Sequence, residues 1–182
     1  MGGTLQNDSL TYCKEYEKKI GVYLTSALKL ADGVKNLASS KGLSVVTAES
    51  CSGGLLAGIL SELPGSSLFY GGGVTVYSNE AKSILTGIDP KDIATYGAVS
   101  EVVARQLALG IRQKLGGTYG IALTGIAGPT GATANKPVGT VWCGISSREG
   151  EESELFQLSG QRYDVRWQSV IGALELLLNK MK

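Results

Sequence analysis

The 182 residues include no histidine. That absence excludes Ser-His-Asp and Cys-His hydrolysis within one chain, together with any histidine-ligated zinc site. Chemistry must rest instead on Lys, Tyr, Asp, Glu, Cys, Ser or Thr. Cysteine is limited to Cys13, Cys51 and Cys143, an odd number without CxxC spacing, which points to a reduced, cytoplasmic compartment. An excess of one charge is missing too: 17 basic against 16 acidic residues leave a net charge of +1. With no Lys/Arg cluster, nucleic acid is not an expected partner. No apolar run approaches the ~20 residues of a membrane span, and mean hydropathy is only +0.08. Membrane association is therefore not expected. Residues 1–8 show no basic stretch followed by an apolar one, so secretion is not expected either. Gln6 stands where N-myristoylation wants Ser or Thr.

What is abundant is glycine, 26 residues, about twice the usual ~7% share. Prolines number four and there is no Gly/Ser repeat, so the chain is not of low complexity. The glycines gather at residues 53–54, 71–73, 116–117 and 125–131, where apolar segments begin or end. The length fits one domain with a real core, burying about 70% of its unfolded surface.

Residues 1–19 are polar and lack sustained periodicity, which predicts a mobile arm over about residues 1–20 with at most a short helix. A single domain is expected over residues 21–182. Leu24, Leu28, Ala31, Val34 and Leu37 recur at helical spacing within residues 23–40. A short buried strand over residues 43–48 follows, then a Glu-Ser-Cys-Ser-Gly-Gly turn and a helix carrying Leu55, Leu56, Ile59, Leu60 and Leu63. Residues 69–77 read as a strand interrupted by glycines, and residues 79–85 as a short helix. Ser100 caps a helix running to Leu115, which Gly116 and Gly117 end. Strands are expected at residues 119–124, 138–146 and 153–158, and a last helix at residues 164–179. This alternation predicts a three-layer α/β/α domain with a mixed, mostly parallel sheet.

In such folds ligands bind beyond the carboxyl ends of the strands, which directs attention to four segments. The first is the turn at residues 48–54, whose N–H groups could stabilise an anion or a developing oxyanion. From spacing alone a plain glycine turn with Ser50 or Ser52 as N-cap is the favoured reading, and Cys51 reads as a small buried side chain. The second holds Tyr77, Asn79 and Lys82 within six residues. Lys82 becomes a general base if burial lowers its pKa from ~10.4 toward 7–8; otherwise it joins Glu80 on a solvated helix face. The third is the Gly-rich loop over residues 124–131, which lacks both the P-loop ending and GxGxxG spacing. The fourth carries Arg162 and Arg166, four apart on one helix face, placed to clamp a phosphate or to pair with carboxylates.

Together the strings TAESCSGG, GSSLFYGGGVTVYSNEAK, YGAVSE, TGIAGPTG and KPVGTVW resemble the CinA C-terminal domain family, the bacterial nicotinamide mononucleotide deamidases. The resemblance runs from about Leu24 to the end of the chain. It implies hydrolysis of the carboxamide of nicotinamide mononucleotide to nicotinic acid mononucleotide and ammonia, without metal or cofactor. By motif, Ser50 takes the place of the nucleophile, Lys82 of the base and Tyr77 of the assisting tyrosine. A Ser-Lys pair is one of the few ways to run acyl transfer without histidine. The resemblance also implies oxyanion donors around Ser52 and Gly53, a nucleotide pocket lined by Thr124, Gly125 and Gly128, and a phosphate contact from Arg162.

Two departures from the family pattern stand out. Ser52 replaces a common Thr, and Gln161 replaces the Asp or Asn usual before Arg162, which weakens the assignment of the phosphate contact. Many relatives carry a pyrophosphatase-like N-terminal domain where this chain has about 20 residues, so that activity is not expected. The partner implied is a small nucleotide substrate, with room left for a homo-oligomer. The competing readings are a non-catalytic nucleotide-binding sensor or scaffold of the same fold, and a different amide or ester in the same pocket.

Overall fold

The computed structural model describes residues 4–182, and side chains from residue 11 onward. In chain order the elements are α1 (Thr4–Lys41), β1 (Val45–Glu49), α2 (Leu55–Glu62), a 3-10 turn (Ser66–Leu68), β2 (Tyr70–Thr75), α3 (Asn79–Thr86) and α4 (Pro90–Tyr96). They continue with α5 (Glu101–Leu115), β3 (Tyr119–Gly125), β4 (Thr140–Ser147), β5 (Gly150–Gln157) and α6 (Arg162–Lys180). The sheet order is β2-β1-β3-β4-β5. β1 pairs in parallel with β2 and β3, while β4 runs antiparallel to both β3 and β5. The expected mixed three-layer sheet is therefore present, with its parallel part confined to β2-β1-β3.

Burial explains the layering. Every residue of β1 is buried, as a central strand covered on both faces requires. On one face α1, α2 and α6 pack through Ala27, Ala31, Leu56, Leu60, Val170 and Leu174. On the other, Val103, Leu107 and Ile111 of α5 meet Val46, Ala48 and Ala122, with Ile93 of α4 beside them. The α5 layer sits close to the sheet because glycine allows it. A Cβ at Gly120 would lie 2.1 Å from the Ala108 carbonyl oxygen. Among the described residues no helix is long and apolar enough to cross a membrane.

The arm expected over residues 1–20 is a point of correction. From Thr4 onward the chain is helical and continuous with the segment expected at residues 23–40; residues 1–3 lie outside the described residues. The physical reason is an aromatic seam rather than an aliphatic stripe. Tyr12 and Tyr16 approach the Tyr163 ring at 5.2 and 5.3 Å, and Tyr23 stacks on Trp167 at 6.2 Å. Tyrosine reads as polar in a search for aliphatic periodicity, yet its ring packs like any other.

Asp164 is the polar centre of that seam. Its carboxylate accepts from Lys19 Nζ (3.0 Å), Tyr23 Oη (2.7 Å) and the Gln161 N–H (2.8 Å), the last as half of a capping box that starts α6. Burial alone would raise the Asp164 carboxyl, but the bonds from Tyr23, Gln161 and Lys19 together hold it below the usual carboxylate range. Asp164→Ala is expected to cost about 1.5–3 kcal/mol in urea unfolding at pH 7. A depressed folded-state pKa stabilises fully above the unfolded value near ~3.9 and less as pH falls through the folded value. The gap between wild type and variant should therefore close in acid. Equal unfolding midpoints at pH 7 would refute this role.

Candidate active site

The site begins where β1 ends. The Ser50 N–H donates to the Leu123 carbonyl (2.9 Å), which extends the β1–β3 register by one residue and fixes Ser50 at the carboxyl edge of both strands. The chain from β1 turns away to β2 and that from β3 to β4. A crevice opens between neighbouring strands whose connections diverge in this way. Gly53 (φ +63°) and Gly54 (φ +90°) then reverse the chain into α2 through left-handed backbone, which side chains with a Cβ adopt at a cost.

The start of α2 differs from expectation. Its N–H groups are not free for an anion: Glu49, 1% exposed, accepts from Gly54 (3.1 Å), Leu56 (3.0 Å) and Ala57 (2.7 Å) through its carboxylate. The Gly53 N–H is engaged as well, at 3.2 Å from the Ser50 carbonyl. Gly53 is therefore not an available oxyanion donor. The N–H groups of Cys51 and Ser52 meet no oxygen acceptor among the described residues and face the Cys51 sulfur instead. Ser52 itself is fully buried; its hydroxyl has no partner there, and its carbonyl accepts from Arg166 Nη2 (2.8 Å) and Nε (3.2 Å).

Lys82 reaches the crevice from α3, which Ser78 caps by accepting the Ala81 N–H (3.0 Å). The lysine is 2% exposed. Its Nζ lies 3.2 Å from Ser50 Oγ, 3.0 Å from the Val76 carbonyl and 3.3 Å from the Tyr77 carbonyl. Burial drives its pKa down from the usual lysine value, with the nearby Cys51 acting weakly in the other direction. No carboxylate pairs with it among the described residues. A neutral amine has two N–H donors and one lone pair. Two carbonyls can take the donors, which leaves the lone pair toward the Ser50 hydroxyl. The arrangement can remove a proton from Ser50.

A cavity of about 210 Å³ lies over the pair, lined among others by Ser50, Tyr77, Lys82, Thr124, Gly125 and Arg162. Six of the expected site residues thus meet at one place. Ser52, Gly53 and Gly128 do not line it. Tyr77 also differs from expectation, being 63% exposed with its hydroxyl accepting from Arg162 Nη2 (3.2 Å) rather than touching the Ser50–Lys82 pair. Arg162 Nη1 donates to the Gly128 carbonyl (2.9 Å), so one guanidinium joins Tyr77 to the Gly-rich loop. Arg166 instead holds the Ser52 turn. Thr124 donates to the Ala98 carbonyl (2.7 Å) and Lys136 to that of Val99 (2.7 Å), which pins residues 98–99 as a further wall. Cys51 also lines the cavity, but burial pushes its thiol up to about 12, so it is no nucleophile near neutrality. The sequence singles out Asn79 with Tyr77 and Lys82 but assigns no role to Glu49, Ala98, Val99 or Lys136, although each lies within one of the strings that carry the family resemblance.

Fold and site together define an α/β domain with a buried lysine–serine pair at the carboxyl edge of its parallel strands. The chain belongs to the CinA C-terminal domain family, whose sequence profile matches residues 27–181. It is 46% identical over 155 residues to a CinA-like protein of Thermosynechococcus vestitus, covering 84% of this chain and 37% of that one. A CinA-like protein of Chlorobaculum tepidum is 42% identical over 166 residues, covering 88% and 39%. The chain spans less than half the length of these relatives. Among solved structures, the competence/damage inducible protein CihA of Agrobacterium tumefaciens superposes with a TM-score of 0.82 at 38% identity, covering 85% of this chain and 96% of that one.

Proposed function

We propose that the chain is an amidohydrolase that converts nicotinamide mononucleotide to nicotinic acid mononucleotide and ammonia through an acyl-enzyme on Ser50. The observation that carries this reading is Lys82 Nζ held 3.2 Å from Ser50 Oγ in a site without histidine. Lys82 takes the Ser50 proton as Oγ bonds to the amide carbon. The carbonyl oxygen becomes an oxyanion, and the Cys51 N–H, on the residue after the nucleophile, is its donor. Collapse breaks the C–N bond, and the proton returns from Lys82 to the departing nitrogen, releasing ammonia. Water, deprotonated by the same amine, then splits the ester, and Ser50 recovers its proton. Tyr77 acts on this sequence through Arg162, whose bond it accepts, rather than by moving a proton.

Arg162 is the phosphate ligand in this reading. It has no carboxylate partner among the described residues and faces the cavity, whereas Arg166 is held by Ser52. Ammonia release should therefore be fast with nicotinamide mononucleotide and poor with nicotinamide riboside. Arg162→Ala should raise KM for the mononucleotide about 10–100-fold, the worth of one charge-assisted pair. Binding of the mononucleotide without ammonia release would favour a nucleotide-binding sensor or scaffold. Equal turnover of mononucleotide and riboside would remove the phosphate role.

A further inference from the structure

Arg162 lines two cavities. The second, of about 380 Å³, is lined by Tyr12, Gly128, Pro129 and Val138 in addition to Ala127 and Arg162, which also line the first. The two cavities therefore share Ala127 and Arg162, and the second is also lined by Gly160 and Gln161. Their chemistry differs: the first presents a hydroxyl, an amine and a phenol, while the second has an aromatic ring, a proline ring and a valine for walls. Tyr12 comes from α1 before residue 27, outside the segment that the family profile matches. It is held there by the edge-on Tyr163 ring, 5.2 Å away. Arg162 uses one N–H on Gly128 and one on Tyr77, and its other donors have no partner among the described residues.

We propose that the second chamber is a subsite for a planar aromatic ring borne on phosphate, so that the ligands of this chain extend to the dinucleotide class. The phosphates would lie at Arg162 and the second ring between Tyr12 and the Pro129–Val138 wall. Placing the first ring at Ser50 rests on the deamidase reading; the second chamber does not. A flat ring suits these walls because stacking on an aromatic side chain needs only a π-face, while a cation beside the cavity fixes the phosphate.

Calorimetry on the full chain tests this with adenosine monophosphate against ribose 5-phosphate, which keeps the phosphate and lacks the ring. The nucleotide should bind about ten-fold tighter, an advantage lost in Tyr12→Ala and kept in Tyr12→Phe. In the unmodified protein, photolabelling with azido-adenosine monophosphate should mark peptides holding Tyr12 or residues 129–138, which protects the test if Tyr12→Ala unseats α1. No advantage of the nucleotide, an advantage that survives Tyr12→Ala, or label confined elsewhere would overturn the proposal. Binding of nicotinamide mononucleotide to the Ser50→Ala chain reads the other hypothesis separately. Failure there with the adenosine advantage intact would sink the deamidase and leave this subsite standing.

Discussion

Ser50→Ala should stop ammonia release from nicotinamide mononucleotide, with a loss of at least about 10³-fold, because the substitution removes the atom that forms the acyl bond. The fold should be indifferent to it. Ser50 is positioned by its backbone, through the N–H on Leu123 and the carbonyl on Gly53. Lys82 keeps its bonds to the Val76 and Tyr77 carbonyls when the hydroxyl is gone. Nucleotide affinity should accordingly survive while turnover does not. Two measurements decide it: single-turnover ammonia release, and calorimetric titration of the same protein. A variant that retains most of its turnover would show that another group attacks the amide.

Lys82→Met should cost about 10²–10⁴-fold in rate, the usual worth of a positioned base. The wild-type pH profile carries the sharper test. Only the neutral amine can accept the Ser50 proton, so the rate should rise with pH as Lys82 loses its proton. Burial lowers the pKa of this group, so the rise should level off below the ~10.4 of a free lysine. No histidine limb overlays it, since the chain has none. A rate climbing steadily to about pH 10 would mean that burial does not lower the working pKa of Lys82, and a rate that does not rise with pH would mean that this amine is not the base.

Much of the architecture was legible because its punctuation is local. Ser100 does cap α5, accepting the Val103 N–H at 3.3 Å, and Gly116 does close it in left-handed conformation. α4 escaped notice although Asp89 and Pro90 form a standard start signal, because a helix of seven residues shows little periodicity. β4 and β5 were expected as strands, but the tightness of their join was not. Only Arg148 and Glu149 separate them, with Gly150 at positive φ. In the site, Ser50 and Lys82 lie 32 positions apart, and no spacing rule makes them neighbours. They meet because β1 and α3 both present their ends at one edge of the sheet, which only motif resemblance could suggest. Glu49 was invisible for a different reason. A carboxylate is ordinarily read as exposed, and its burial follows from three helix N–H groups that cannot be seen along the chain.

That carboxylate ties two fates together. Glu49 anchors the first turn of α2, and Ser50 is the next residue, so the clamp of a helix and the placing of a hydroxyl share one stretch of backbone. α2 has only eight residues and limited strength of its own. Fraying of that first turn on heating is expected to release Glu49 and to let Ser50 drift from Lys82 before the sheet itself opens. If the chain works as proposed, thermal inactivation is expected to run ahead of melting, and a firmer α2 should prolong working life without touching any group in the cavity.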